Sequence, residues 1–312
     1  MLIDEEISDF KSINSHTISI GVFDGVHKGH KYFLSKLLSE SKKSQSTPTV
    51  ITFKTHPLSL LNPTIKIKNI TTTNDKIKMI KNFGITSVIP VTFDRNLSEL
   101  SGEEFINKIK SIIKISSLFI GPDFSIGKNR ETNNTNIKDL SHKLNFKVFE
   151  IPKIKQDSLI IRSTNIRSLI TDGKVNLASK MLGYPFFIKG LVIKGLSRGK
   201  KLGFPTANIK IPDNIILPSN GIYATHVSIG KNKYFGATSI GNNPTFNETD
   251  KTIETFIIGF NDDIYNKNIC LEFIHRIRDE IKFSSANKLS IQMANDVEKI
   301  TNILKNTSSL LN

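Results

Sequence analysis

The sequence predicts two domains of different class, an α/β domain with a doubly wound parallel sheet and, after it, an antiparallel β-barrel with a terminal helix. Its 312 residues are enough for two hydrophobic cores. The first part alternates strand and helix patterns, which is typical of parallel strands joined by right-handed crossovers. The second part consists of short β-rich runs punctuated by Gly and Pro, which favours a barrel.

In the first part, short apolar runs alternate with segments of helical periodicity. Strands are predicted at residues 17–23, 49–53, 86–93, 118–121 and 146–151, with helices at 30–42 and about 75–82. The pattern changes after about Gly183. From there, strands are predicted at 186–193, 221–229, 234–240, 252–260 and 268–277, followed by a helix at 285–304 that is expected to pack on the barrel.

The composition indicates an ordinary globular protein, with 38% hydrophobic and 23% charged residues. The net charge of +15 raises the question of a nucleic-acid partner. Lysines are scattered among Asn and Ile, however, and no long basic block stands out. Compositional bias is therefore the favoured interpretation, with a mild benefit for binding anionic nucleotides, and no nucleic-acid partner is predicted.

The cellular setting is predicted from cysteine content and hydropathy. Cys270 is the only cysteine, so an intramolecular disulfide is excluded, and the Cys and His cluster that zinc needs is missing. Residues 1–10 are acidic where a secretory signal needs positive charge. No run approaches the roughly 18 apolar residues of a membrane span. These observations predict a cytoplasmic chain without a membrane partner, and they leave open whether it forms a homo-oligomer.

The first candidate site lies in residues 21–30, Gly-Val-Phe-Asp-Gly-Val-His-Lys-Gly-His, between a predicted strand and a predicted helix. Small residues let the backbone approach a phosphate, and the helix N-terminus offers free N–H donors. His27 and His30 could donate hydrogen bonds to phosphate oxygens as these gain charge in a transition state. Taken alone, two histidines at this spacing fit an incidental or structural role as well.

The second candidate site lies in residues 199–208, Gly-Lys-Lys-Leu-Gly-Phe-Pro-Thr-Ala-Asn. Glycines and lysines indicate an anion-binding loop, and Thr206 and Asn208 offer two oxygen ligands suited to Mg²⁺. The pattern alone also fits a plain turn. Glu254 lies on a mainly apolar strand, where a carboxylate on an exposed face is the simpler interpretation.

Residues 21–30 resemble the HxGH signature of the nucleotidyltransferase superfamily. Their Phe-Asp-Gly form looks like the adenylyltransferase module of bifunctional riboflavin kinase/FAD synthetases. Residues 161–167, Ile-Arg-Ser-Thr-Asn-Ile-Arg, are similar to the Ile-Ser-Ser-Thr-x-Ile-Arg motif that closes over ATP phosphates, with Arg162 replacing the first Ser. This resemblance implies that hydroxyl and guanidinium contacts to ATP are kept.

Two further segments resemble the flavin side of the same module. Residues 52–57 end in His56 and Pro57, as in the family's Phe-x-x-His-Pro stretch, although His56 taken alone would be an ordinary loop histidine. Residues 121–127 resemble the family's Gly-x-Asp/Asn-Phe-x-Phe-Gly loop. Asn129 and Thr132 then stand where the family often has Gly, which brings the loop geometry into question.

The second part closely resembles riboflavin kinase, whose signature Gly-x-x-Leu-Gly-Phe-Pro-Thr-Ala-Asn matches residues 199–208. The resemblance implies that Glu254 is the catalytic base. Residues 240–246 resemble Gly-Asn-Arg-Pro-Thr-Phe with Asn243 in place of Arg, and residues 263–265 resemble an Asp-Leu-Tyr turn. Residues 278–283 resemble the segment that closes over the flavin, with Asp279 where Pro is common.

The resemblance covers nearly the whole chain and implies an adenylyltransferase domain at residues 1–183 and a riboflavin kinase domain at 184–312. It implies phosphorylation of riboflavin to FMN and adenylylation of FMN to FAD, with ATP as co-substrate and Mg²⁺ as cofactor. The implied catalytic residues are His27, His30 and Glu254; ATP contacts are implied for Gly21, Phe23, Asp24, Gly29, Ser163, Thr164, Arg167, Gly195, Lys200 and Gly203; flavin contacts for His56, Pro57, Asp123, Phe124, Arg278 and Phe283; and Mg²⁺ binding for Thr206 and Asn208.

Three alternatives stay open at this point. The altered loop at Asn129 could leave a chain that is mainly a kinase. A regulator could bind flavin or nucleotide without chemistry, although binding alone would not need both histidines and Glu254. A nucleic-acid-binding protein would be retained on DNA or RNA in a salt-sensitive way.

Overall fold

A computed structural model describes residues 2–62, 64, 67–156, 159–195, 199, 202–242 and 251–309. The chain forms two compact units, residues 1–163 and 164–312. The predicted domain boundary at 183/184 lies further along the chain and stays a prediction. It falls at the left-handed C-cap Gly183 of a helix that packs against strands of the second unit.

The first unit contains a five-stranded, entirely parallel sheet in the order β3-β2-β1-β4-β7. Its elements are α1 Leu2–Ser8, β1 Ser15–Gly21, α2 Lys28–Lys43, β2 Thr47–Phe53, α3 Pro57–Leu61, α4 Thr73–Asn82, β3 Ser87–Val91, α5 Arg95–Ser98, α6 Gly102–Lys110, β4 Lys114–Ile120, β5 Ser125–Ile126, β6 Thr132–Asn133, α7 Ile137–Lys143, β7 Lys147–Glu150, β8 Lys155–Gln156 and β9 Leu159–Ile160.

Apolar side chains project from both faces of this sheet, as expected for strands that are covered by helices on two sides. Along β2, Val50 packs in one core cluster and Ile51 in the other. The first cluster includes residues of α2 and α4, and the second includes residues of α1 and α6. The doubly wound parallel sheet predicted from the sequence is therefore confirmed.

Two differences from the sequence prediction matter here. The first strand ends at Gly21 and not at Phe23, because Phe23 has a φ of +52°, which no strand accommodates. Helices α6 and α7 were not predicted. The capping box of Ser101 and Glu104 at the start of α6 is a sequence signal that could have revealed the first of them.

The second unit is a closed antiparallel barrel in the order β10-β11-β14-β13-β12-β15. Its elements are α8 Ser163–Thr171, which begins at the unit boundary, α9 Val175–Leu182, β10 Phe186–Ile193, β11 Thr206–Lys210, β12 Gly221–Ile229, β13 Asn232–Asn242, β14 Lys251–Ile257, β15 Asn268–Arg278 and α10 Ala286–Ser309.

The terminal helix α10 packs on β12, β13 and β15, with Ile300 and Leu304 fully buried. Ser285 precedes it and accepts a hydrogen bond from the backbone N–H of Lys288, as expected of an N-cap. The barrel with a terminal helix is thus confirmed. Thr206 to Asn208, which also fitted a plain turn, belong to strand β11.

Candidate active sites

The two histidines of the first site are held face to face where β1 leads into α2. His27 is the N-cap of α2, and its Nδ1 accepts a hydrogen bond from the backbone N–H of His30 at 3.2 Å. The two rings stack with their centroids 3.6 Å apart and an interplanar angle of 14°. Because Nδ1 of His27 accepts, the proton of the neutral ring lies on Nε2, which is then a hydrogen-bond donor.

The environment of His30 keeps its imidazole uncharged at neutral pH. Burial lowers the pKa of His30 well below its usual value, and the nearby His27 and Lys76 lower it further. Its ring also lies 5.1 Å from that of Phe23. Nδ1 of His30 is buried and finds no hydrogen-bond partner among the described residues. The site therefore holds a neutral ring with an unsatisfied polar atom, a feature that often marks a functional position.

The turn before α2 is held by hydrogen bonds to segments far away along the chain. Asp24 is buried, and its carboxylate accepts hydrogen bonds from the backbone N–H groups of Ile70 and Thr71 at 2.9 and 3.2 Å. Ser163 donates its hydroxyl to the carbonyl oxygen of Asp24 at 3.0 Å. Both side chains hold the turn in this structure, and the phosphate contacts predicted for them stay predictions.

The glycines of this segment are explained by the rings beside them. A Cβ atom on Gly29 would lie 3.0 Å from the ring of His27, and one on Gly21 would lie 3.0 Å from the ring of Phe23. Glycine at position 29 thus leaves room for the imidazole. Thr164 and Arg167, predicted to contact ATP, lie in the first two turns of α8.

The residues predicted to line the flavin side fall in two loops of the first unit. His56 is the N-cap of α3, where its Nδ1 accepts from the N–H of Leu58, and Pro57 is the first residue of that helix. Asp123 is exposed and forms an ion pair with Lys153, which lowers its pKa. Phe124 packs against the core. Contacts of these residues with a flavin stay predictions.

The loop that departs from the family pattern keeps a glycine-like conformation. Asn129 has φ 54° and ψ 21°, in the left-handed region that Asn tolerates better than most residues. Thr132 is buried, and its side chain occupies the space beside Gly102, where a Cβ atom would lie 2.2 Å from the Thr132 hydroxyl. The left-handed conformation at position 129 is thus one that both Gly and Asn can adopt, and the effect of Asn129 and Thr132 on adenylylation stays open.

The second site is built on two paired strands of the barrel. Thr206 and Asn208 lie on the same face of β11, and Asn208 stands opposite Glu254 of β14. The hydroxyl of Thr206 donates to Oε2 of Glu254 at 3.1 Å. The structure thus brings together the three polar side chains that the sequence singled out in this unit.

Glycines again make room for this site. A Cβ atom on Gly195 would lie 2.0 Å from the side-chain amide nitrogen of Asn208, so a larger residue would displace Asn208. Gly203 has a φ of +85°, which favours glycine. Lys200 and Asn243 lie outside the described residues.

A cavity of about 220 Å³ opens beside Thr206 and Glu254. Its described lining combines barrel residues with side chains of α10: Gly199, Leu202, Thr206, Ile222, Ala237, Ser239, Glu254, Phe256, Arg278, Leu289, Met293, Asp296 and Val297. The lining is mainly apolar with a few polar groups, as is usual for a site that binds an organic ligand. Arg278 is part of the wall, whereas Phe283 is half-buried outside it, and the flavin contacts predicted for both stay predictions.

Sequence reasoning missed Asp296, which binds Arg278 within this wall. Nε of Arg278 donates to both carboxylate oxygens at 3.0 Å, and Nη2 donates to Oδ2 at 2.6 Å. Gln292 adds a hydrogen bond to Oδ1 at 2.9 Å. The available signal was an acidic residue on the buried face of the helix, four residues before Ile300.

The oxygen atoms near Glu254 are suitable ligands for a hard cation that keeps part of its water shell. The described residues contain no group of three His, Cys, Asp or Glu side chains that could hold a metal. Thr206 and Asn208 supply a hydroxyl and an amide oxygen beside one carboxylate, which fits Mg²⁺ shared with nucleotide phosphates.

The chain thus combines a parallel-sheet unit, with two histidines at a helix start, and a barrel unit with three polar side chains on paired strands. Comparison with known families shows which class of protein has this arrangement. A family model described as FAD synthetase matches residues 9–165, and one described as riboflavin kinase matches residues 182–304.

Curated relatives combine both activities in one chain. The bifunctional riboflavin kinase/FMN adenylyltransferase of Buchnera aphidicola subsp. Schizaphis graminum is 40% identical over 298 residues, covering 94% of this chain and 95% of the relative. The enzyme of the same name from Bacillus subtilis is 33% identical over 294 residues, covering 93% and 92%. The chain therefore belongs to the bifunctional riboflavin kinase/FMN adenylyltransferase family, and it is an enzyme with a kinase and a nucleotidyltransferase domain.

A solved structure shares the whole fold. A crystal structure described as a macrolide-efflux protein from Streptococcus pneumoniae matches with a TM-score of 0.85 and 29% identity, covering 95% of this chain and 97% of the other. In the described part of this chain, no helix combines the length and the apolar character needed to cross a membrane.

Proposed function

We propose that the chain makes FAD from riboflavin in two steps, each in its own unit. In the barrel, the 5′-hydroxyl of riboflavin attacks the γ-phosphorus of ATP and releases ADP. In the first unit, a phosphate oxygen of FMN attacks the α-phosphorus of ATP and releases pyrophosphate. The contact between Thr206 and Glu254 at the mouth of a cavity, together with the stacked histidines at the start of α2, is the observation that carries this proposal.

In the kinase step, Glu254 accepts the proton of the attacking hydroxyl. Its Oε2 already accepts a hydrogen bond, at 3.1 Å from Thr206, so its orientation is set before substrate binds. A positioned carboxylate within reach of the nucleophile is what general-base catalysis of phosphoryl transfer requires. Thr206 and Asn208 would hold Mg²⁺, which neutralises charge on the phosphate oxygens when bound.

In the adenylyl transfer, the two imidazoles act by electrostatic stabilisation. The Nε2–H of His27 can donate to an α-phosphate oxygen as the phosphorus becomes five-coordinate. The neighbouring His30 is uncharged, so the stacked pair avoids the repulsion of two imidazolium rings. The N-terminus of α2 adds the positive end of the helix dipole at the same point.

The experiment that tests the proposal separates the two reactions in one protein. The purified chain is incubated with ATP and Mg²⁺ and either riboflavin or FMN, and the flavins are separated by chromatography. We expect FMN and FAD from riboflavin, and FAD from FMN. FMN without FAD would indicate a kinase alone, and neither product would leave only a binding protein.

A chelator arm tests the metal. With EDTA in excess of all divalent cations, we expect FMN formation to stop and to return when Mg²⁺ is added back. Unchanged FMN formation under these conditions would contradict the assignment of Thr206 and Asn208.

A further inference from the structure

A buried lysine lies beside the histidine pair and was not found from the sequence. Lys76, in the first turn of α4, is only 5% exposed, whereas lysine is almost never fully buried without partners. Its Nζ donates hydrogen bonds to two backbone carbonyl oxygens, that of Val22 at 2.9 Å and that of Phe53 at 2.7 Å. A charged group thus connects two separate strand ends.

The two carbonyls lie where ligands bind in this class of sheet. Val22 directly follows β1 and Phe53 is the last residue of β2, so both are at the carboxyl edge of adjacent parallel strands. Ligands of open α/β sheets bind outside this edge. Thr52 donates its hydroxyl to the same Val22 oxygen at 3.0 Å.

The segment that Lys76 holds is strained. Phe23 has a φ of +52° and Val26 a φ of +32°, and a positive φ at a β-branched residue is a genuine outlier. Such backbone persists only where surrounding contacts over-determine it. His27 follows this strained turn directly, so the placement of the imidazole depends on the contacts that hold Val22.

The charge of Lys76 also reaches the site. The titratable groups that interact with its ammonium are Asp24 of the turn and His30 of α2. Burial lowers the pKa of Lys76 to about 8, and Asp24 opposes that decrease. The side-chain amine of Lys76 is therefore mostly protonated at pH 7 and mostly neutral above pH 9.

We propose that Lys76 is a positioning residue for adenylyl transfer. It holds the carbonyls of Val22 and Phe53 so that the turn presents His27 and His30. Its ammonium group also adds positive charge close to the two imidazoles. This inference rests on the proposed function of the first unit. It assigns Lys76 no contact with substrate.

The test compares Lys76→Gln and Lys76→Arg with Lys78→Gln, an exposed lysine of the same helix. FAD formation from FMN and ATP is measured from pH 6.5 to 9.5, and FMN formation from riboflavin in the same preparations serves as the internal reference. Because misplacement of a reacting group by about 1 Å can cost about 100-fold, we expect Lys76→Gln to lower kcat for FAD formation on that order. FMN formation and the Lys78→Gln variant should be unchanged.

The pH profile separates positioning by a charged group from a merely structural role. In the wild-type protein, kcat/KM for FAD formation should fall on the alkaline side with a midpoint near pH 8. That fall should be absent in Lys76→Arg, whose guanidinium stays charged, and this variant should recover part of the lost activity. Two results would overturn the inference. One is a Lys76→Gln variant with the kcat of the wild type. The other is a Lys76→Gln variant with lower kcat whose activity falls at alkaline pH as that of the wild type does.

Two further outcomes of this experiment also have a definite interpretation. If Lys76→Gln does not fold, the wild-type profile alone decides, and a kcat/KM that is flat from pH 7 to 9.5 would refute the role of the charge. If the wild-type protein makes no FAD at any pH, the result contradicts the proposed function of the first unit. It is then distinguishable from a failure of the Lys76 assignment, which requires a wild-type protein that makes FAD.

Discussion

The two sites hold their functional side chains by different means. In the barrel, Thr206 and Glu254 lie on paired strands, so the backbone register fixes their separation. In the first unit, His27 follows a turn with positive φ at Phe23 and Val26, and side-chain contacts from distant segments hold that turn. Strand pairing therefore needs little outside support to place a site, whereas a strained turn needs several long-range contacts.

The largest expected effect concerns the barrel carboxylate. Changing Glu254 to Gln keeps the hydrogen bond from Thr206 but removes the base, so kcat for FMN formation should fall by about 10²–10⁴-fold. FAD formation from supplied FMN should not change. The matched control is Glu272→Gln, a carboxylate on β15 that is paired with Lys233. A loss of both activities would show that the two units are not independent, and it would contradict the separate description of the two sites.

The next effect concerns the strained turn. Changing His27 to Asn keeps a good N-cap for α2 but removes the imidazole, so kcat for FAD formation should fall by about 10²-fold or more while kinase activity persists. His142→Asn, at an exposed position in the last turn of α7, is the control. Assays of each activity with purified variants give the answer, and full FAD formation by His27→Asn would refute the role of the ring.

A third prediction tests whether the barrel site also depends on the helix α10 that packs on it. Changing Asp296 to Asn removes the carboxylate from a partly buried ion pair with Arg278. Loss of a hydrogen bond to a charged group costs about 2 kcal/mol of unfolding free energy, and we expect KM for riboflavin to rise more than kcat falls.

Denaturant unfolding and riboflavin titration of initial rates would measure the two quantities. Glu298→Gln, at an exposed carboxylate of the same helix, is the control for this experiment. Unchanged stability and KM in Asp296→Asn would mean that the wall of the cavity does not depend on the pair.

The smallest effect is a loss of stability in acid. Burial lowers the pKa values of His16, His30 and His226, so between these lowered values and about 6.5 the unfolded chain binds protons that the native chain does not. The free energy of unfolding should therefore fall as the pH decreases from 7 to 5.

Thermal unfolding at pH 7.5 and pH 5.5 measures this effect, and His226→Gln should reduce the fall for the barrel unit. The same midpoint at both pH values would contradict the assignment. A larger fall in the first unit would fit the stronger shift at His30.

Much of the fold and of both sites could be predicted from the sequence. The barrel strands Phe186–Ile193 and Gly221–Ile229 were predicted with the bounds that the structure shows. The glycines at 29 and 195 were recognised as part of their sites, and the structure gives a reason, since a Cβ atom at 195 would overlap Asn208 and one at 29 would crowd the ring of His27. Local backbone requirements leave such signals in the residues themselves.

Other features depend on residues far apart along the chain. Asp296 meets Arg278 only because α10 packs across the barrel, and Lys76 meets Val22 only because α4 follows a strand next to β1. The carboxylate of Asp24 holds the backbone of residues 70 and 71, a contact that the sequence did not reveal, while its predicted contact with phosphate stays a prediction.

The order of the two domains, the alternation of their elements and the local motifs of both sites follow from the sequence alone, because periodicity, glycine placement and helix starts act over a few residues. Which polar groups are buried together, and which charges they keep, follows from the way the chain packs. Those properties arise from burial and from long-range partners, and no short segment of sequence encodes either.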